Sequence, residues 1–407
     1  MRLLHTSDWH IGRTFHGHPT IEHLQRVLDA LVEIVHDKRV DVVLVAGDVF
    51  DSATPAASYL DVLTGALRAL HQAGAVVIIT SGNHDSATRL GFQSEFAALA
   101  DIHVLTDAQK ADQPVMLTDE HGPVAIYGIP FLEPALVQHF YPDIALRTHA
   151  SVLGFVMDRL RADAASRNAR TVVLSHCFAA NIGDSTDSDD SADSTSDAAA
   201  GQTVGLERDI TAGGLDIVPL NTFRGVDYVA LGHIHGRSQL RSEARYSGAP
   251  LHYSFSEAGK PRGAWLVDLD QGGLAGVEWV DLPIPRRLSV LTGTLDNLLA
   301  SSDFDDKEQD WVSAILTDQA RPLDAMRKLQ TRFPWCATLE HRPSVVAETA
   351  VTSYAERLKS KTDGEIVAGF LEHVRNGVGP TDAEQTVIAA VIAEHATAAE
   401  DRASVAV

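Results

Sequence analysis

The sequence is poor in cysteine and lacks long apolar runs. Only two of its 407 residues are cysteine, so a disulfide framework is excluded and a reducing compartment, the cytoplasm, is expected. No segment approaches the roughly 18 uninterrupted apolar residues that a membrane span needs, and no membrane association is expected. No secretion signal is expected either, because no long apolar stretch follows Met1.

Basic residues are also scarce relative to acidic ones. The chain has 33 Lys and Arg against 55 Asp and Glu, a formal net charge of −22. Because phosphate neutralisation needs lysine and arginine, this balance argues against tight unaided binding to nucleic acid. Residues 184–199 are rich in Asp and Ser and contain no apolar side chain larger than alanine, so a disordered acidic loop is expected there.

Short runs rich in β-branched residues alternate with helix-period segments, which predicts an α/β layer fold. One predicted helix places Leu24, Leu28 and Leu31 on a single face, and the next does the same with Leu60, Leu63, Leu67 and Leu70. The runs that predict strands are Arg2–Thr6, Val40–Ala46, Ala75–Thr80, Val124–Ile129, Thr171–Leu174, Asp227–Leu231, Gly263–Asp268 and Val277–Leu282.

At roughly 150 residues per domain, the length predicts two or three domains. Pro283, Ile284 and Pro285 interrupt the pattern, so a first domain is expected over 1–283 and a small α+β unit over 284–343. The remaining residues, 344–407, are expected to form a helical tail, since Thr362 and Thr381 each begin a Thr-x-x-Glu capping box before an apolar pattern. This pair of helices either packs on the body or docks on a partner.

Five of the predicted strands end in polar residues that suit metal coordination or acid–base chemistry. In open α/β sheets, ligands bind beyond the carboxyl ends of the strands, so these side chains are expected to converge. The residues, in strand order, are Asp8 and His10, then Asp48 and Asp51, then Asn83 and His84, then His176, and finally His233 and His235.

The mixture of side chains indicates which metals would suit such a site. Each motif alone is weak, but together, with Asp51 and His84 left aside, they supply two aspartates, one asparagine and four histidines, with no thiolate. Oxygen and nitrogen donors of this kind suit manganese, iron or zinc. Seven ligands are too many for one tetrahedral zinc, and they suit two cations that share a bridging carboxylate, as in enzymes that hydrolyse phosphate esters.

The motifs in this order resemble those of the calcineurin-like metallophosphoesterase superfamily. More narrowly, the chain resembles the SbcD nuclease subunit, the bacterial member of the Mre-eleven family of DNA double-strand-break nucleases. The resemblance covers roughly the first 340 residues and implies two mixed sheets flanked by helices and a capping domain, and the capping boxes beyond it predict a C-terminal helical hairpin. The segments that carry it are MRLLHTSDWHIG, VAGDVFD, GNHDS, IPFL, YVALGHIH and YSGAP.

The resemblance also implies a role for each site residue. Two divalent cations, manganese in this family, are expected. His84 matches the catalytic histidine, and Asp51 would orient it. The ligands would be Asp8, His10 and His235 for one cation, Asn83, His176 and His233 for the other, and Asp48 as the bridge.

By the same resemblance, the function would be DNA cleavage. The family implies 3′-to-5′ exonuclease action on duplex ends and endonuclease action on hairpins or single strands, at the nucleoid. It implies a homodimer within a heterotetramer that contains two copies of an SbcC-like ATPase. The tail would dock on that ATPase. Apart from the resemblance, Arg237, Arg241 and Arg245 lie near the last motif, and a local basic stripe there would assist DNA binding.

Two other functions remain open at this point. A stand-alone phosphoesterase acting on nucleotides or small phosphodiesters fits the acidic charge, whereas the extra domain and the apolar tail count against it. A non-catalytic scaffold with a vestigial site is the third possibility. The presence of all seven expected ligands and of His84 counts against that one.

Overall fold

The computed structural model describes residues 1–181, 217–343, 361–375 and 377–404, without the side chains from 396 onward. Two compact units are present, Met1–Pro285 and Arg286–Val407. The predicted acidic loop, 184–199, lies outside the described residues, and so does the first part of the predicted tail, 344–360.

The first unit contains two mixed sheets of six strands each. In chain order the strands are β1 (Arg2–Thr6), β2 (Val42–Ala46), β3 (Val76–Thr80), β4 (Ile102–Leu105), β5 (Val115–Asp119), β6 (Gly122–Ile129), β7 (Arg170–His176), β8 (Tyr228–Gly232), β9 (Ser238–Gln239), β10 (Ala244–Tyr246), β11 (Gly263–Asp270) and β12 (Gly273–Asp281). The first sheet has the order β12-β11-β1-β2-β3-β4, and the second has the order β9-β10-β8-β7-β6-β5. Strands β1 to β4 are parallel, as are β6, β7, β8 and β10, so each sheet brings several carboxyl ends to one edge.

The two sheets pack face to face, and helices cover their outer surfaces. Between the sheets, Leu44 and Ile78 pack in one apolar cluster with Ile126 and Leu174. The helices of this unit are α1 (Ile21–Lys38), α2 (Ala57–Gln72), α3 (Pro134–Phe140) and α4 (His149–Arg167), with single turns at Ala87–Leu90 and Ser94–Ala97. Helices α1 and α2 cover the first sheet, and α4 covers the second. The predicted sandwich of two mixed sheets flanked by helices is therefore confirmed.

One predicted helical face was wrong in part, and two helices, α3 and α4, were not predicted. Leu63 and Leu70 of α2 are buried, but Leu60 is 47% exposed. At 3.6 residues per turn, Leu60 lies roughly 60° around the helix from Leu63 and falls outside the buried stripe. Helix α4 received no prediction, although it buries Val152, Val156 and Leu160 at helical spacing.

The second unit contains a three-stranded parallel sheet with two crossover helices. Its elements are β13 (Leu288–Gly293), α5 (Leu295–Ala300), β14 (Trp311–Leu316), α6 (Ala325–Arg332), β15 (Cys336–His341), α7 (Asp363–Val374) and α8 (Asp382–Ser404). Both predicted capping boxes form: Glu365 accepts the Thr362 N–H at 2.7 Å, and Glu384 accepts the Thr381 N–H at 2.8 Å. Among the helices that the structure describes, none combines the length and apolarity that crossing a bilayer requires.

Candidate metal centre

The polar residues predicted from the strand ends come together at one edge of the sandwich. Loops of both sheets contribute: Asp8, His10, Asp48, Asp51, Asn83 and His84 follow strands of the first sheet, and His176, His233 and His235 end or follow strands of the second. Asp8, His10, Asp48 and His176 are at most 2% exposed. The centre therefore lies across the two sheets, with several of its donor groups shielded from bulk water.

The loops of the first sheet are tied to each other through their main chains. The N–H of Asp8 donates to Gly47 O at 3.0 Å, and the N–H of His10 donates to Asp48 O at 3.0 Å. Asp8, His10 and Asp48 have left-handed φ angles of 54°, 44° and 49°, and His233 has 105°. Left-handed backbone is costly for residues other than glycine and is concentrated at functional sites. The tied loops hold these residues in that conformation.

The first cluster of donor atoms belongs to Asp8, His10 and His235. One ligand atom of each lies within 4.8 Å of the other two. The Nε2 atoms of His10 and His235 face each other at 3.1 Å, and Asp48 Oδ2 lies 3.6 Å from His10 Nε2. Two imidazoles and a carboxylate that converge in this way match the donor set of a first-row divalent cation.

A second cluster lies on the other side of Asp48. Asn83 Oδ1 lies 3.0 Å from His176 Nε2 and 3.1 Å from His233 Nδ1. His176 Nε2 is also 3.4 Å from Asp48 Oδ2, and its other ring nitrogen contacts Ala46 O at 2.9 Å. Asp48 therefore adjoins a histidine of each cluster, the position that a shared bridging carboxylate requires.

Burial and mutual attraction shift the pKa values of several groups in the centre. Burial alone would raise the pKa of Asp48, but His176 and His10 beside it hold the pKa below its usual range. Burial alone would lower the pKa of His176, whereas attraction by Asp48 raises it to about 9. Burial lowers the pKa of His233 to about 3. The centre thus keeps Asp48 ionised, and the proton that Asp48 attracts to His176 must leave before that ring can coordinate a metal ion.

His84 and Asp51 lie beside the first cluster. The His84 ring Nδ1 donates to the main-chain oxygen of Asp51 at 3.0 Å, and its side chain is 38% exposed. The Asp51 carboxylate lies 3.3 Å from His10 Nδ1 and 3.9 Å from His84 Nδ1. A nitrogen of His84 also lies within 4.8 Å of donor atoms of His10 and Asp48. Asp51 thus reaches His84 mainly through its carbonyl group, and its carboxylate lies nearer His10.

Asp85 has a structural role that the sequence reasoning did not assign. Its carboxylate accepts the N–H groups of Val49 at 3.0 Å, Phe50 at 2.9 Å and Gly82 at 2.9 Å. Burial raises the pKa of Asp85 to about 6. Asp85 joins the loop after β2 to the loop after β3. The position of Asp85 directly after the Gly-Asn-His motif is the sequence feature that could have indicated this role.

A buried ion pair supports the loop that carries His235, and it was also missed. Arg262 and Glu257 pair with side chains only 1% and 7% exposed, and Arg262 also donates to the His235 carbonyl oxygen. Glu257 Oε1 lies 3.7 Å from His235 Nδ1. The Tyr253 hydroxyl donates to Trp9 O at 2.8 Å, which ties the same region to the Asp8 loop. Isolated Glu and Arg residues in a loop gave no signal in the sequence.

The predicted stripe of arginines near the last motif is wrong in part, because one of the three side chains is buried. Arg245 is only 7% exposed and lies over the Trp265 ring at 5.3 Å. Arg241 donates to the side chain of Asn221, and Arg237 lies over the Trp279 ring at 4.7 Å. Arg245 therefore cannot contribute to a basic surface, whereas Arg237 stays exposed beside its ring and Arg241 is half-buried.

Comparison with known families and proteins gives two family matches and a curated relative. The family model described as calcineurin-like phosphoesterase matches residues 1–237. The model described as the type 5 capsule protein repressor C-terminal domain matches residues 284–375. The chain is 24% identical over 376 residues to the D subunit of the nuclease SbcCD from Staphylococcus epidermidis, with 92% of this chain and 93% of that protein covered.

Solved structures give weaker likenesses. The protein TT1561 of Thermus thermophilus is 12% identical with a TM-score of 0.38, over 69% of this chain and 98% of that one. A dimetal phosphatase from Danio rerio is 14% identical with a TM-score of 0.37, over 69% of this chain and 98% of that one. At these TM-scores neither likeness carries an argument, whereas the first family model spans more than half of the chain.

Proposed function

Because the chain belongs to the calcineurin-like phosphoesterase family, we propose that it is the nuclease subunit of a DNA end-processing complex. The reaction is hydrolysis of DNA phosphodiesters. The observation that carries this proposal is the pair of donor clusters on either side of Asp48, at an edge where both sheets end. The similarity to a relative named as part of a nuclease, which extends over most of both chains, supports DNA as the substrate.

The donor clusters define which residues would hold the cations. Asp8, His10 and His235 would hold one, Asn83, His176 and His233 the other, and Asp48 would contact both. Two divalent cations supply positive charge for the phosphate and lower the pKa of water, the chemistry that hydrolysis of a phosphodiester requires. The oxygen and nitrogen donor set, without thiolate, agrees with manganese.

His84 is the proposed general acid. Because a carbonyl oxygen only accepts, the contact with Asp51 O places a proton on His84 Nδ1 and leaves Nε2 for exchange with the substrate. In hydrolysis, the water oxygen bonds to phosphorus and the bond to the leaving oxygen breaks. For this role the His84 ring carries a second proton, on Nε2, which passes to the leaving oxygen, while the proton lost by the attacking water goes to solvent. Asp51 acts as a positioning residue for His84 through the same hydrogen bond.

The proposal extends to the mode of action and to a partner. We assign 3′-to-5′ exonuclease action on duplex ends and endonuclease action on hairpins and single strands. An SbcC-like ATPase would bind the tail in a heterotetramer built on a homodimer of this chain, and residues 284–343 would cap the duplex. Exposed apolar side chains on α7 and α8, Phe370 at 54%, Val387 at 62% and Val391 at 57%, support a docking role for the tail.

Cleavage of end-labelled duplex and hairpin DNA with Mn²⁺ tests the nuclease proposal. The parent chain is expected to cut both substrates, and Asp48→Asn is expected to lose at least about 100-fold in rate because both clusters lose their shared anion. Asp158→Asn is the control, since its side chain is 77% exposed on α4. Turnover of a small aryl phosphodiester without cleavage of DNA would support the stand-alone phosphoesterase instead. Full DNA cleavage by Asp48→Asn would contradict the assigned centre.

A further inference from the structure

Arg13 is a partly exposed cation at the edge of the metal centre. Within the described part of the chain, two arginines contact the candidate residues. Arg262 is enclosed, with its side chain 1% exposed, whereas the Arg13 side chain is 26% exposed and lies 3.3 Å from Asp51 Oδ1 through Nη1. Of these two, only Arg13 is accessible to a molecule that approaches from solvent.

Arg13 is held in place by its main chain and by a ring. Its N–H donates to His10 O at 2.9 Å, and its carbonyl oxygen accepts the Thr20 hydroxyl at 2.6 Å. The guanidinium lies over the Tyr253 ring, 4.8 Å from the centroid. Stacking and ion pairing restrict a side chain that is otherwise flexible, so little entropy remains to be lost when it binds an anion.

The position of Arg13 relative to the donor atoms determines what it can contact. The Tyr253 ring lies 5.4 Å from the His10 ring and 5.7 Å from the His235 ring, and the Asp51 carboxylate lies 3.3 Å from His10 Nδ1. Arg13 touches Tyr253 and Asp51 but no donor atom of the first cluster. Arg13 therefore lies beside the first cluster without belonging to it, and a phosphate held by the cluster would be a neighbour of the group that Arg13 contacts.

We propose that Arg13 binds a phosphate group adjacent to the one that is cleaved, and thereby selects polynucleotides over single phosphodiesters. This inference rests on the proposed phosphodiesterase function. Guanidinium offers five N–H donors, and the contact with Asp51 uses Nη1, so others can reach a phosphate oxygen. In a chain of net charge −22, a fixed cation at this edge offsets repulsion of the substrate strand.

Steady-state kinetics of the full chain with Mn²⁺ test the role of Arg13. The substrates are a single-stranded oligodeoxynucleotide and bis(p-nitrophenyl) phosphate, which has one phosphate only. The variants are Arg13→Ala, Arg13→Lys and, as a matched control, Arg159→Ala. Arg159 is similarly exposed at 31%, pairs with Asp112 and lies over the Tyr141 ring at 5.6 Å. Mn²⁺ binding is measured by calorimetry for each variant.

Arg13→Ala is expected to raise KM for the oligonucleotide about tenfold, the effect of one charge-assisted contact, and to leave the aryl ester unaffected. The slope of log KM against log salt should fall by about 0.7, the value for one phosphate on a single strand. Arg13→Lys should restore part of the affinity because it keeps the charge. Mn²⁺ binding and both activities should be unchanged in Arg159→Ala.

Three results would overturn the inference. An unchanged KM and salt slope in Arg13→Ala, with an active parent, would show that Arg13 does not bind substrate. Equal losses on both substrates together with weaker Mn²⁺ binding would show that Arg13 acts through Asp51 on the metal centre. A parent that cleaves neither substrate would refute the proposed function itself.

Discussion

Single residues of the centre combine unusual backbone conformations with glycine neighbours. Asp48 has a left-handed φ of 49°, and a Cβ built on Gly82 would lie 2.1 Å from its carboxylate oxygen. A Cβ on Gly232 would lie 1.8 Å from Ala46 O. Each left-handed residue costs about 1–3 kcal/mol, which the hydrogen bonds between loops offset. The loops that carry the donor groups can approach each other closely because glycine, which has no side chain, occupies these two points of contact.

His84→Gln separates the two roles that the geometry allows for His84. As the proton donor, His84 should lose about 10²–10⁴-fold in kcat when replaced, while the chain still binds two Mn²⁺ per molecule in calorimetry. If His84 were a metal ligand, the His84→Gln variant should instead bind one Mn²⁺ fewer per molecule. His233→Ala is the comparison, because loss of a residue from the second cluster should reduce binding to one equivalent. A one-equivalent result for His84→Gln would contradict its assignment as the acid.

Between elements, an ion pair within the second sheet also reaches a strand of the first sheet. Arg170 of β7 pairs with Asp119 of β5 and also donates to Asp270 O of β11 at 3.1 Å, so it bridges the second sheet to the first. The Arg170 and Asp119 side chains are 7% and 15% exposed. Hydrogen bonding by Arg170 is the main cause that lowers the pKa of Asp119 below its usual range. This contact therefore contributes stability that depends on pH.

Asp119→Asn is expected to lower the free energy of unfolding by about 2 kcal/mol at pH 7, because Arg170 loses its charged partner. A carboxyl whose pKa is depressed by folding stabilises fully above its unfolded pKa of about 3.9, and this contribution is lost as the pH falls below it. The difference between parent and variant should therefore shrink below about pH 4 in urea unfolding followed by circular dichroism.

The matched control for this change is Asp268→Asn. Asp268 pairs with Arg2 at 2.8 Å, with side chains 44% and 39% exposed, so its loss should cost less than about 1 kcal/mol. A difference between Asp119→Asn and the parent that stays constant from pH 7 to acid would contradict the assigned cause.

The elements that follow from local patterns could be predicted from the sequence, and those that depend on tertiary context could not. The buried strands β1 to β3 read as apolar runs because both of their faces are covered. The donors after them could be located because sheet topology brings carboxyl ends together. Glu257 and Arg262 are charged residues in a loop, and only the folded chain shows that they pair beside His235. The burial of Arg245 likewise depends on Trp265, a distant residue.

Across the whole molecule, the excess of negative charge would limit binding of the proposed DNA substrate. The net charge is −22, and the three arginines near the last motif are engaged in internal contacts. Long-range repulsion of a polyanion weakens association wherever cations do not offset it. The isolated chain should therefore hold DNA poorly, and a partner would supply most of the binding surface.

Fluorescence anisotropy of labelled duplex DNA tests this expectation. The isolated chain should bind at physiological salt with a Kd of roughly 10⁻⁶ M or weaker, with a shallow dependence on salt because few phosphates are neutralised. A catalytically inert Asp48→Asn chain keeps the duplex intact during the measurement. Nanomolar binding by the isolated chain would contradict the dependence on a partner.

Each donor cluster draws its members from both sheets: Asp8 and His10 meet His235, and Asn83 meets His176 and His233. The gap between the sheets, which Leu44 and Leu174 help to fill, therefore fixes the separation of groups that must cooperate. The apolar interior works as a spacer as well as a source of stability. Replacing a leucine there with a smaller or larger residue would change the separation of the donor groups and so lower the reaction rate, although no group that contacts the substrate is altered.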